Sequence, residues 1–185
     1  MNSLTRRWIS LALGVFLFAV HSDADGRSEG KLDASLKKMF GDSVTISISK
    51  IVLTPEQQKI IFDSSHSHWM SDTIEAYVCS NENTPIGYGF LDNVKGKTQY
   101  ITYLVGIGRE GSVQDVDVLV YRESYGGEIA YDSFREQFRG KTNHDDVRIG
   151  KSIKNISGAT ISVRAITFGI RRILATFEII RSRLH

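Results

Sequence analysis

Apolar residues recur along this chain with two periods, and the places where one gives way to the other outline its elements. Lys31–Phe40 carries Leu32, Leu36, Met39 and Phe40 at helical spacing and stops at Gly41. Val44–Val52 then alternates Val44, Ile46 and Ile48 with Thr45, Ser47 and Ser49, as a half-buried strand does. Thr54-Pro55-Glu56-Gln57 has the chemistry of a helix start, with Thr as N-cap and Pro in the first turn, and predicts a short helix to about Phe62. Strand signals follow at Thr73–Cys79, Ile86–Asn93, Thr98–Ile107 and Val113–Tyr121, with turns at Asn81–Pro85 and Gly108–Gly111. Tyr131–Phe138 reads as a short helix with Phe134 and Phe138 one turn apart. Ala159, Val163, Ile166, Ile170, Ile173, Phe177, Ile180 and Leu184 then recur at spacings of 4 and 3, one apolar stripe on a helix of about 25 residues. Arg164, Arg171, Arg172, Arg181 and Arg183 fall mostly off that stripe and predict a solvated basic face. The expected fold class is α+β: an antiparallel sheet of about four strands packed with a long C-terminal helix and short helices.

Charge sharpens the picture at the front of the chain. The 185 residues hold 23 Lys and Arg against 21 Asp and Glu, a formal charge of +2. Met1–Ser22 contains Arg6 and Arg7 and no acid, so the remainder balances, and a neutral domain argues against a nucleic-acid partner. After those arginines comes an apolar run, Trp8–Val20, and then the polar stretch His21–Asp25. Thirteen residues are short for a membrane span, which needs about 20, but suit the centre of a secretory signal. The expectation is a signal peptide over 1–22, a helix and strand extension over 23–72, a functional domain over 73–185, and a periplasmic location. Retention of the leader as an N-terminal membrane anchor is the alternative. The single cysteine, Cys79, excludes an internal disulfide, a four-cysteine zinc site and a c-type haem attachment motif, and reads as a small strand residue.

Most candidate chemistry dissolves on inspection. His66-Ser67-His68 and His144-Asp145-Asp146 are joined by no metal-ligand spacing, so no metal site is expected. No G-x-S-x-G nucleophile turn occurs, and no catalytic residue is assigned. Gly106–Gly111 spells G-x-G-x-x-G, but a second strand follows it where a dinucleotide site needs a helix, so it is a hairpin turn. Ile156-Ser157-Gly158-Ala159-Thr160 is different. It opens the long helix, where unpaired N–H groups and the positive end of the dipole favour an anion, with two hydroxyls at the mouth. Gly158 and Ala159 leave room for a phosphate or a second protein to approach the backbone. On these letters alone, Ser and Thr as ordinary helix caps explain the segment equally well.

At these residues the sequence resembles the FMN-binding domains found in the C subunit of the sodium-pumping NADH:quinone reductase and the G subunit of the Rnf complex. Ser157-Gly158-Ala159-Thr160 is similar to the end of that family's attachment signature, S/T-G-A-T/S. Three further segments agree in order: Tyr100–Gly111 with Val113–Tyr121 as its strand pair, Glu123–Ile129 as its glutamate- and glycine-containing loop, and Phe134–Lys141 as its F-x-x-Q-F-x-G-K segment. The likeness covers roughly Thr73 to Arg172. Lys154 stands where the family often has Asp or Ser, and the loop reads E-S-Y-G-G-E where the complex subunits have E-T-P-G-x-G, which suggests a single-domain carrier.

The resemblance implies covalent FMN joined through its phosphate to Thr160 by a separate flavin transferase that uses FAD, with Ser157, Gly158 and Ala159 completing the motif. Glu123, Tyr125, Gly126 and Gly127 are the candidates for contact with the flavin; Tyr88 and Tyr121 read equally well as strand packing. The implied function is electron transfer between membrane and periplasmic redox partners rather than turnover of a small substrate. The alternatives are a flavin-dependent reductase module acting with a catalytic partner, and a non-redox exported binding protein that has lost the cofactor.

Overall fold

The computed structural model describes residues 23–184, so the leader expected over 1–22 lies outside the described residues. In chain order the elements are α1 (Asp23–Phe40), β1 (Thr45–Val52), α2 (Pro55–Ser65), β2 (Thr73–Asn81), β3 (Thr84–Lys95), β4 (Tyr100–Gly108), β5 (Val113–Val120), α3 (Asp132–Arg135) and α4 (Thr160–Ile180). Single 3₁₀ turns lie at Gly127–Ala130, Glu136–Phe138 and Arg181–Arg183. The strands form one antiparallel meander in the order β1-β2-β3-β4-β5. The sheet thus has five strands rather than about four. The added one is β1, which pairs with β2 along its whole length, from Thr45 opposite Ser80 to Val52 opposite Thr73.

Local chemistry accounts for the joints. Thr54 and Gln57 form a reciprocal capping box at the start of α2, with N–H···O distances of 3.3 and 3.0 Å. That helix runs to Ser65, past the expected Phe62, and stops at His66 in the left-handed region (φ 56°). Glu82 and Asn83 both take positive φ, the pair a tight hairpin turn between β2 and β3 requires.

Helices cover both faces of the sheet, so the central strands are apolar on both sides. In β4, Ile101, Tyr103, Val105 and Ile107 join the core beneath α4, while Leu104 points into the smaller core under α1. α1 lies close against glycines: a Cβ at Gly87 would stand 2.1 Å from the Phe40 ring, and one at Gly89 2.4 Å from Leu36. Cys79 belongs to this α1 layer, and burial, then the Asp33 charge, push its thiol up to about 11. Ile48 of the edge strand β1 is exposed rather than half-buried.

One expectation about α4 is corrected. Arg172 does not belong to a solvated basic face; it is 3% exposed. Its guanidinium pairs with buried Asp92 of β3 at 2.5 Å, and the Tyr103 hydroxyl of β4 donates to the same carboxylate at 2.5 Å. Arg172 also donates to Ser67 Oγ at 2.8 Å and to the His68 carbonyl, and lies 4.5 Å over the Trp69 ring. Burial, and then the Asp92 charge, hold Tyr103 well above the usual phenol range, so it stays a donor. Gly169 makes room for this cluster: a Cβ there would lie 1.9 Å from the Tyr103 hydroxyl. Among the described residues, no helix is long and apolar enough to cross a membrane.

Candidate cofactor site at the mouth of the long helix

α4 begins at Thr160 behind Ala159, and no side chain caps it. The first N–H groups of a helix have no partner within it, so this mouth is an open anion seat. Ser157 and Thr160 are exposed, and Gly158 (φ 84°) turns the chain between them. A Cβ at Gly158 would meet nothing within 4 Å, so the space beside the mouth is free. Thr160 Oγ1 accepts from Asn155 Nδ2 at 3.0 Å, which leaves its own proton available.

The segment before the mouth is held by the Phe134–Lys141 stretch. Phe134 and Phe138 are buried edge-to-face, 5.3 Å apart, and Gln137 between them projects outward. Gln137 Oε1 accepts from the Lys154 backbone N–H at 2.6 Å, three residues before Ser157. Gly140 and Lys141 close the stretch on the β5 side through two 2.8 Å backbone bonds to Val113. What the F-x-x-Q-F-x-G-K letters specify is therefore a bracket between the sheet edge and the motif.

The loop after β5 supplies the facing wall. Tyr121 donates its hydroxyl to the Tyr125 carbonyl and lies 3.3 Å from Ser162 Oγ in the first turn of α4, so it ties loop to helix. Gly126 (φ 88°) packs against Ala159: a Cβ there would stand 2.9 Å from the Ala159 Cβ and 2.8 Å from the Tyr121 hydroxyl. Two small residues, one from each segment, thus set the separation of loop and mouth. The Tyr125 ring is 83% exposed. Glu123 accepts from Thr98 N–H (2.8 Å), Thr98 Oγ1 (2.6 Å) and Gln99 N–H (3.0 Å) in the β3–β4 turn. These bonds, the Thr98 hydroxyl first, hold its carboxyl down to about 2.

A cavity of about 480 Å³ lies between these segments. Of the residues singled out from sequence, Gly158, Ala159, Thr160, Glu123 and Tyr125 line it, Gly126 sits behind, and Ser157 and Gly127 are outside the lining. Lys97, Thr98 and Ser162 also line it and carried no local signal; Glu123 identifies the Thr98 turn only once the two are seen together. Tyr88 is core packing, 5.4 Å from the Phe177 ring. His68 stacks on Phe62 at 4.0 Å, and Asp145 accepts from Thr142 N–H and Oγ1, both at 2.8 Å. Among the described residues, no group of three or more His, Cys, Asp or Glu is arranged to hold a metal.

An uncapped helix mouth beside an aromatic-rimmed cavity defines a domain suited to a ligand with an anionic end and a flat body. Residues 96–175 match the model of the FMN-binding domain family. Over 102 residues it is 31% identical to the G subunit of the proton-translocating ferredoxin:NAD(+) oxidoreductase complex of Clostridium ljungdahlii. The match takes in 51% of this chain and 55% of that protein, so the chain spans about half the length of this curated relative. The crystal structure of Shewanella oneidensis NqrC has the same fold, with a TM-score of 0.59 at 14% identity over 86% of this chain and 98% of that one. FMN suits the residues present: the open mouth and the free space at Gly158 match its phosphate, and the cavity beside Tyr125 matches its ring.

Proposed function

We propose that this protein is an exported electron-transfer flavoprotein carrying FMN covalently through a phosphoester to Thr160, relaying electrons between membrane and periplasmic redox partners. The observation that carries the reading is the uncapped α4 mouth at Ala159–Thr160, opening directly into the cavity walled by the Tyr125 loop. Bound FMN supplies one- and two-electron redox chemistry, which the chain's own side chains lack. Thr160 is the acceptor: its hydroxyl gives up a proton and forms the phosphorus–oxygen bond as AMP leaves FAD on a flavin transferase. The mouth then neutralises part of the single remaining negative charge, worth about 0.3–1 kcal/mol at an exposed helix end. Gly158 keeps the approach clear, Lys97 offers a cation at the cavity, and the exposed Tyr125 ring offers a flat seat. Glu123, itself in the lining, holds Thr98 and so fixes that wall of the cavity. Export explains the covalent bond, because a dissociated flavin outside the cytoplasm is lost by dilution.

Co-expression with a flavin transferase, denaturation and intact mass test this directly. A flavin that stays with the unfolded chain, is absent from Thr160→Ala and accompanies loss of the leader supports the reading. Colour that separates from the denatured protein overturns it.

A further inference from the structure

Thr160 borders a second cavity, of about 680 Å³, which shares no other lining residue with the first. Arg164, Phe168 and Arg171 line it from α4, and with Thr160 they follow the spacing of one helix face. Arg148 and His66 close it from neighbouring loops. The guanidinium carbons of Arg164 and Arg171 both lie over the Phe168 ring, 5.3 and 5.8 Å from its centroid. The two acids of this wall are already engaged. Asp146 is held by Arg148, at 2.6 Å for one of its two bonds, and Asp145 by Thr142. Arg164 and Arg171 form no ion pair among the described residues, and Arg171 donates to the Ser64 carbonyl. Lys151 is near enough to help draw the Asp146 carboxyl down, after Arg148 has done most of it. In a domain neutral outside its leader, this is a local positive excess centred on an aromatic ring, next to the residue proposed to bear the cofactor.

We propose that the Arg164–Phe168–Arg171 face is the docking surface for a redox partner presenting an acidic patch around an apolar centre. This rests on the electron-transfer reading. A small anion would need donors converging on one point; here Arg148 is clamped on Asp146, Arg171 donates to a carbonyl, and the guanidinium groups of Arg164 and Arg171, neither in an ion pair among the described residues, are spread across a ring. That arrangement steers and orients a macromolecular partner, in which charge raises the association rate and Arg and aromatic side chains anchor the contact. The surface leaves the first cavity to the cofactor, and a partner seated on it lies against Thr160.

The test uses FMN-loaded protein, an acidic donor (reduced flavodoxin) and a basic acceptor (oxidised cytochrome c), each exchanging electrons with it in stopped flow. The pair Arg164→Glu with Arg171→Glu is expected to lower the second-order rate constant with flavodoxin at least tenfold at low salt and to flatten its salt dependence. The rate with cytochrome c should hold or rise. Arg164→Glu alone, at an exposed side chain, gives a smaller change in the same direction and keeps the test valid where the double variant does not fold. An unchanged flavodoxin rate, or equal losses with both proteins, overturns the proposal. So does a double variant that loses binding to phosphatidylglycerol-containing vesicles while keeping its flavodoxin rate, since the face then reads membrane. Intact mass is recorded for each sample: a chain without FMN counts against the cofactor reading, a loaded chain with unchanged rates against this one.

Discussion

Twelve residues along α4 separate Thr160 from Arg172, and the polar groups at these two places are treated in opposite ways. Around Arg172 the guanidinium meets a carboxylate, a hydroxyl, a carbonyl and an indole, and the carboxylate has a second donor in Tyr103. Around Thr160 the helix has no cap, Ser157 and Thr160 are exposed, and Gly158 leaves free space beside them. Both sets of residues are polar and both sit on one helix. What separates structure from function is how far the protein pairs its own polar groups: the first set is paired internally except at the buried Arg172 Nε, the second is left for something else.

This contrast predicts that damage at the mouth costs the cofactor and spares the fold, while damage at the cluster does the reverse. The largest effect is at the mouth. Thr160→Ala removes covalent flavin completely, seen as loss of the mass increment, and leaves stability within about 0.5 kcal/mol, as for other exposed positions. Arg172→Met leaves Asp92 buried without its partner and should cost about 3–5 kcal/mol in denaturant unfolding; flavinylation of the folded fraction persists. A loss under about 1 kcal/mol would mean that buried Asp92 does not depend on Arg172. Gly169→Ala pushes a methyl into the Tyr103 hydroxyl and should cost about 2–3 kcal/mol by the same measurement. Gly126→Ala, strained by its positive φ and by the contact with Ala159, should cost about 1–2 kcal/mol and slow flavin attachment, because it spreads loop from mouth.

The smallest effect concerns pH. The Glu123 carboxyl lies near 2 in the folded chain against an ordinary value of 4.5. A depressed value stabilises the fold fully above about 4.5, and the contribution is lost as pH falls towards 2. The melting temperature should therefore drop more steeply between those pH values for the native chain than for Glu123→Gln. Parallel curves would remove Glu123 from the groups that hold the cavity wall.

Much of this was legible in the letters because it rests on local rules. The alternation in the strands, the Thr54–Gln57 box, the long stripe of α4 and the motif at its mouth all report on neighbours close in sequence. The fate of Arg172 was not legible: a cation one place from an apolar stripe looks solvated until β3 places Asp92 beneath it. Thr98 was hidden for the same reason, since its meaning depends on Glu123, 25 residues later. The alternation over Val44–Val52 predicts a strand, but only the pairing with β2 gives β1 its place in the sheet. Periodicity shows which face a residue takes, and only the assembled fold shows what that face meets.

The Asp92–Arg172 pair also bears on the order of assembly. It joins residues 80 positions apart, so it forms only after a long loop of chain has closed, a step that local helix and hairpin formation precede. The Thr160 mouth belongs to the helix that this closure docks. On the proposed function, a transferase that recognised the mouth against its Tyr125 wall would meet a complete acceptor only on a folded chain, so the modification would mark molecules that have finished folding.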